Sequence, residues 1–214
     1  MRIVVTGRGS GWWADGGNVP KHSIVGPRWS ERPEWAYWVG FLMADGCVTR
    51  GPGEHRVWAV QKDKDHLNAL REFVGAGSVR PRRDGTHVYC ITDSGLAGEL
   101  MACGVVPAKS LTARVNGLEM DRDFWRGVVD GDGCINSRKD GYRQFQVVGS
   151  AALMGQFRAF LDLHVPQCRA AVTRRTPHMW GFTTAGSTAA QIIHLLYAGA
   201  TVALPRKAAR ALCA

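Results

Sequence analysis

Two short stretches of the chain run through apolar residues into an acid and then a glycine: WVGFLMADG, from Trp38 to Gly46, and WRGVVDGDG, from Trp125 to Gly133. Each reads as a buried helix that stops on a carboxylate, Asp45 in the first and Asp132 in the second. Small residues lie four apart in both, Gly40 and Ala44 against Gly127 and Gly131. Residues four apart share a helix face, and without bulky side chains there two backbones can approach closely. Pairing the stretches helix to helix would set Asp45 beside Asp132 at the C-terminal ends of both helices. Two carboxylates there repel each other and face the negative poles of two helix dipoles. A divalent cation reverses that penalty. Oxygen ligands so arranged suit Mg²⁺ or Mn²⁺, which keeps waters and takes phosphate oxygens as well.

The stretches belong to a longer repeat. At an offset of 87 positions Trp38 falls on Trp125, Gly40 on Gly127, Asp45 on Asp132 and Cys47 on Cys134, and the match continues through Trp58 on Phe145, Val60 on Val147 and Phe73 on Phe160. The offset grows to 91, pairing Tyr89 with Trp180, and then to 98, pairing Pro107 with Pro205 and Lys109 with Lys207. Constancy within elements and growth at loops mark a duplicated fold.

Each copy reads as helix, two strands, helix, two strands, helix. In the first copy a helix from about Pro33 to Asp45 has Ser30 as its expected N-cap. Strands at Cys47 to Arg50 and Arg56 to Lys62 turn through GPGE, and a helix at Asp65 to Phe73 follows. A hairpin at Ser78 to Arg82 and His87 to Thr92 leads to a helix that Ser94 caps. The second copy repeats the order, with strands at Ile135 to Asn136 and Phe145 to Val148 and a helix at Ala151 to Leu161. Strands at Arg169 to Arg174 and Met179 to Thr184 and a helix from about Ser187 to Tyr197 complete it. Residues 30–115 form the first repeat, 116–122 the linker and 123–214 the second repeat. Residues 1–29 are an extension of unassigned role: its GRGSG lacks the third glycine of a phosphate loop, because Trp12 stands there.

Composition narrows the function classes. The net charge of +9 favours a polyanionic partner, most simply nucleic acid. No apolar run is long enough to span a bilayer and no signal peptide opens the chain, so the expected location is intracellular, with no membrane partner. Six scattered cysteines contain no CxxC pair, and seven histidines form no HExxH pattern. Neither a zinc site nor a disulfide scaffold is expected.

With both acid-ended stretches, the duplication and the basic strands in hand, residues 30–214 resemble the LAGLIDADG homing endonucleases in their single-chain, two-repeat, freestanding form. The resemblance implies an α+β fold of two pseudo-symmetric αββαββα repeats, with antiparallel sheets forming a DNA-binding saddle and the motif helices paired at the centre. It implies a double-strand DNA endonuclease, encoded by an intron or phage, in which Asp45 and Asp132 bind Mg²⁺ or Mn²⁺. Asp130 has no counterpart acid, since Met43 occupies that place, and is given a local capping or packing role. By the same resemblance Lys62, after the second strand, and Lys109 and Lys207, near the ends of the repeats, act around the metal-bound water. Gly149, read as the counterpart of Lys62, makes the halves unequal.

Cations fall at matching places in both halves. Arg50 and Arg56 flank the first hairpin of the first copy, and Arg80, Arg82 and Arg83 surround the second. Arg138, Lys139 and Arg143, then Arg174 and Arg175, hold the equivalent positions in the second copy. A two-stranded ribbon fits the major groove of duplex DNA, and unlike readers in the two halves imply a long asymmetric site. A monomer suffices, because the duplication supplies the twofold axis. Relatives of this fold that assist intron RNA folding, or bind DNA without cutting it, are the alternative reading, but neither function needs both acids.

Overall fold

The computed structural model describes residues 28–51, 54–137 and 142–212. The extension before Arg28, the tip of the GPGE turn, and Arg138 and Lys139 lie outside them.

Each half builds one four-stranded antiparallel sheet from two hairpins. In the first half α1 (Trp35–Ala44) leads into β1 (Gly46–Gly51) and β2 (Glu54–Gln61), then α2 (Lys64–Val74), β3 (Ser78–Pro81), β4 (His87–Thr92) and α3 (Ser94–Ala102). In the second, α4 (Arg122–Asp132) leads into β5 (Gly133–Ser137), β6 (Arg143–Gly149), α5 (Ala151–His164), β7 (Val172–Thr176), β8 (Met179–Ala185) and α6 (Gly186–Tyr197). The strand orders β1-β2-β4-β3 and β5-β6-β8-β7 are the same arrangement twice.

Every residue of α1 from Trp35 to Met43 is buried. A helix apolar all round needs protein on all sides; α4 covers one side, and the core of its own half covers the others. The contact is backbone on backbone. A Cβ at Gly40 would stand 2.0 Å from the Phe124 carbonyl oxygen, and one at Gly127 2.1 Å from that of Tyr37. A Cβ at Gly131 would stand 2.3 Å from the Ala44 Cβ. The fourfold spacing of small residues thus sets how closely the halves dock. In both cores an indole packs at a tilt against a ring of the sheet-covering helix: Trp38 on Phe73 at 6.1 Å and Trp125 on Phe160 at 6.0 Å between centroids.

Some sequence expectations shift. Ser30 does not cap α1; it lies in a 3-10 turn and gives its N–H to Glu99 Oε2 at 2.9 Å. Asp93, not Ser94, caps α3 by accepting from Leu96 N. Asp121 caps α4 by accepting from Asp123 N and Phe124 N, so the expected linker already ends inside the helix start. The register of the sheets also corrects the pairing of the copies. Val48 faces Val57 as Ile135 faces Phe145, so Val57, not Trp58, is the counterpart of Phe145. Likewise Tyr89 faces Ala59 as Phe182 faces Val147, which makes Phe182 and not Trp180 the counterpart of Tyr89. The second half ends in a helix absent from the sequence reading, α7 (Pro205–Leu212), where the first half has only a 3-10 turn at Lys109–Leu111. All cysteines among the described residues are free thiols, and no described helix is long and apolar enough to cross a membrane.

Candidate active site and nucleic-acid interface

The paired helices end together. Asp45 follows the last residue of α1 and Asp132 is the last of α4, and a Cβ at Gly131 would come within 3.4 Å of the Asp45 carboxyl carbon. Burial raises the Asp45 carboxyl from its ordinary value of 3.8 to about 6, repulsion from Asp132 adds to the rise, and the cations of Lys207, Arg206 and Lys109 oppose it. Asp132 is raised as well, again chiefly by burial and against Lys109 and Lys207. Solvent still reaches Asp132, so its oxygens sit crowded by protein yet open on one side. Two such acids are costly alone and fit a hard divalent cation. Among the described residues no third histidine, cysteine or acid joins them, so a cation held by Asp45 and Asp132 would complete its shell with water and phosphate oxygens.

Lys109 and Lys207 are buried, 7% and 3% exposed. Lys109 donates its ammonium to the carbonyl of Gly46. Lys207 donates to the carbonyls of Val129 at 2.6 Å, Asp130 at 2.7 Å and Gly133 at 2.7 Å. Lys207 therefore caps the carbonyl end of α4, where the helix dipole is negative, while Lys109 bonds the first carbonyl of β1, just past the end of α1. Burial lowers both ammonium groups, Lys207 to about 8, and Asp132 and Asp45 pull Lys109 back up.

Lys62 is not brought to the acids. It is exposed, and the neighbouring Gln61 takes the place beside Asp45, donating its amide to Asp45 Oδ2 at 2.9 Å. The Gln61 carbonyl oxygen accepts the Lys62 N–H at 2.8 Å, so the carboxamide is fixed at both ends. Val57, Ala59 and Gln61 share the buried, helix-facing side of β2, and Lys62 follows the last residue of the strand, exposed. Sheet register also makes Gly149 the counterpart of Gln61 rather than of Lys62, since Gln61 faces His87 as Gly149 faces Trp180. Gly149 has no side chain, so that position sets no carboxamide beside Asp132.

Asp130, fully buried, does more than cap or pack locally. Its carboxylate accepts from Tyr37 of α1 at 2.7 Å, from Tyr197 of α6 at 2.6 Å and from the Leu204 N–H at 2.6 Å. The Tyr37 hydroxyl, having given its proton to Asp130, accepts from His66 Nε2 at 2.9 Å. The chain His66–Tyr37–Asp130–Tyr197 crosses from one half to the other behind the acids. Sequence offered no signal for it, because its members lie on separate elements.

The expected DNA-contacting cations divide by position. Arg50, Arg56, Arg80, Arg82 and Arg83 are exposed around the first sheet. Arg82 pairs with Asp84 at 3.4 Å. Arg174 turns back to the carbonyls of Thr176 and Pro177, while Arg175 bonds Thr183 Oγ1 at 2.7 Å. Arg143 is tied to the end of α7, donating to the carbonyls of Arg210 at 2.8 Å and Ala211 at 3.4 Å.

No family model matches the chain, and no curated protein matches it. Among solved structures, the I-SmaMI LAGLIDADG homing endonuclease bound to cleaved DNA is similar with a TM-score of 0.59 at 17% identity, over 82% of this chain and 85% of that one. The LAGLIDADG meganuclease I-AabMI bound to uncleaved DNA is similar with a TM-score of 0.57 at 12% identity, over 81% of this chain and 86% of that one. With two antiparallel sheets of the same strand order, joined through paired helices that end on acids, the chain has the fold of the LAGLIDADG homing endonucleases.

Proposed function

We propose that this chain is a site-specific double-strand DNA endonuclease that hydrolyses one phosphodiester on each strand at a long asymmetric site. The observation that carries the reading is the Asp45–Asp132 pair, set at the meeting of two helix ends where neither carboxylate is comfortable. A divalent cation, Mg²⁺ or Mn²⁺, held there would offset both charges and supply Lewis-acid activation of water and phosphate. Gln61 holds the Asp45 carboxylate in one orientation. Lys109 and Lys207, bonded to carbonyls at the turns where the motif helices give way to β1 and β5, place positive charge where negative charge develops on the phosphate. Lys62 stays exposed at the mouth of β2 and is assigned to backbone phosphate contact. On each strand water loses a proton to solvent and forms a new P–O bond as the bridging P–O bond breaks, and the leaving oxygen takes a proton from solvent.

The exposed cations among the described residues, together with Arg138 and Lys139, would hold duplex DNA, with the protein acting as an intracellular monomer. The test is a cleavage selection on a randomised duplex library with Mg²⁺, run beside the double variant Asp45→Asn, Asp132→Asn. Cut products sharing one asymmetric consensus, absent with the variant, are the expected result. Enrichment of bound duplex without cutting by either protein would move the reading to a DNA-binding regulator, and binding to structured intron RNA alone would move it to an RNA-folding role.

A further inference from the structure

The helix-free faces of the two sheets are not chemical copies of each other. In β2 the side chains of Val57, Ala59 and Gln61 are buried toward the helices, so Arg56, Trp58 and Val60 point the other way. In β6 Phe145 and Val147 are buried, so Gln144, Gln146 and Val148 point outward. Register matches these positions one to one. Cys47 faces Trp58 as Cys134 faces Gln146, and Thr49 faces Arg56 as Asn136 faces Gln144.

Distance from the acids organises the comparison. β2 ends at Gln61, on Asp45, so its outward residues recede from the acid pair in the order Val60, Trp58, Arg56. The position next to the acids is the same in both halves, Val60 and Val148. Farther out they part: Arg56 is replaced by Gln144, and Trp58 by Gln146. Arg80, which faces Val88 on β4, shares the outward side of the first sheet, and its counterpart facing Gly181 on β8 is Thr173. Burial pushes the Cys90 thiol up while the guanidiniums of Arg56 and Arg80 pull it down, which sets both cations around the middle of that sheet.

We propose that the two halves read opposite base chemistries: the first sheet recognises G·C pairs through Arg56 and Arg80, and the second recognises A·T pairs through Gln144 and Gln146. In the major groove an arginine fork matches the O6 and N7 acceptors of guanine, and a carboxamide matches the acceptor and donor of adenine. Val60 beside the cut offers no hydrogen bond, so the first half tolerates variation next to its scissile phosphate except for contact with a thymine methyl; in the second half Arg175 lies beside Val148 and Gly181 on the outward face, where it is held on Thr183 Oγ1 at 2.7 Å. The target is then graded, permissive beside the cut in the first half and of contrasting composition in its two arms. This rests on the DNA-endonuclease reading above.

The test is a binding selection on a randomised duplex library with Ca²⁺, using the full chain and the exposed-residue variants Gln144→Arg and Arg56→Gln. Expected is a consensus with G·C pairs fixed in one arm and A·T pairs in the other. Gln144→Arg should switch one position of the A·T arm toward G·C by about tenfold or more, leaving the other arm unchanged, and Arg56→Gln should do the converse. Arms of like composition, or variants that weaken all sequences equally, overturn the proposal. If acid-dependent cutting at a consensus persists in that case, the nuclease reading stands and only this inference falls. Absence of both a consensus and cutting removes both.

Discussion

Asp45 and Asp132 are placed where the fold alone would not put them, and the consequence is measurable without any substrate. A carboxyl whose native pKa is raised binds its proton more tightly folded than unfolded. Stability therefore falls as pH rises from about 4 toward 6, and at neutral pH the ionised Asp45 leaves the native state short by about 1–3 kcal/mol. In metal-free buffer at pH 7 the double variant Asp45→Asn, Asp132→Asn should melt several degrees higher than the native chain while losing all cutting. An unchanged or lower melting temperature would count against the strained pair. His66 behaves in the opposite sense. Burial lowers it from 6.5 to about 4, so between those values the unfolded chain takes a proton that the native chain refuses. Stability should drop by up to roughly 3 kcal/mol as pH falls through that window, and His66→Gln should flatten the slope in pH-dependent calorimetry. The acids were legible in the sequence, because residue type, helix stop and repetition all named them. Gln61 was not. Choosing it over Lys62 depends on which side of β2 faces the helices, and a one-residue uncertainty in a strand exchanges the faces.

Elements were easier to read than their ends. The repeat located both sheets and the helices that cover them, since apolar periodicity survives divergence of individual residues. Caps and turns obey local hydrogen bonding instead, so Ser94 looked as suitable as Asp93, and Ser30 looked like the cap of a helix whose start has no side-chain cap. Helix α7 gives a weak periodic signal, because its apolar residues are three alanines and one leucine and its buried residue is a cation, Lys207. The α1–α4 pairing gives the sharpest prediction at this scale. Gly40→Ala or Gly127→Ala drives a methyl into a facing carbonyl oxygen and should destabilise by about 3 kcal/mol or more. Gly155→Ala in α5 meets nothing within 4 Å and should stabilise by about 0.5–1 kcal/mol through helix propensity alone. Chemical denaturation of the three variants checks both directions, and equal effects would refute close helix pairing.

Across the whole molecule the two halves are bound by polar as well as apolar links. Arg206 of the second half pairs with Asp63 of the first at 3.0 Å, a partly exposed contact worth at most about 1 kcal/mol. Long-range charge matters more for the partner. With a net charge of +9, DNA affinity should fall by orders of magnitude between 50 and 200 mM salt, as measured by fluorescence anisotropy. A flat salt response would argue against phosphate contacts. The stronger tie between the halves is Asp130, which takes Tyr37 from the first half and Tyr197 from the second. That shared carboxylate, with α1 apolar on every side, bears on how the protein is made. A ribosome delivers α1 first and α4 some 4–17 s later at ordinary elongation rates. Through that interval one flank of α1 has no cover and the Tyr37 hydroxyl has no carboxylate. The nascent first half is thus an unfinished surface, a natural client for chaperones, and a ribosome stalled between the copies would release a sticky fragment rather than a working half.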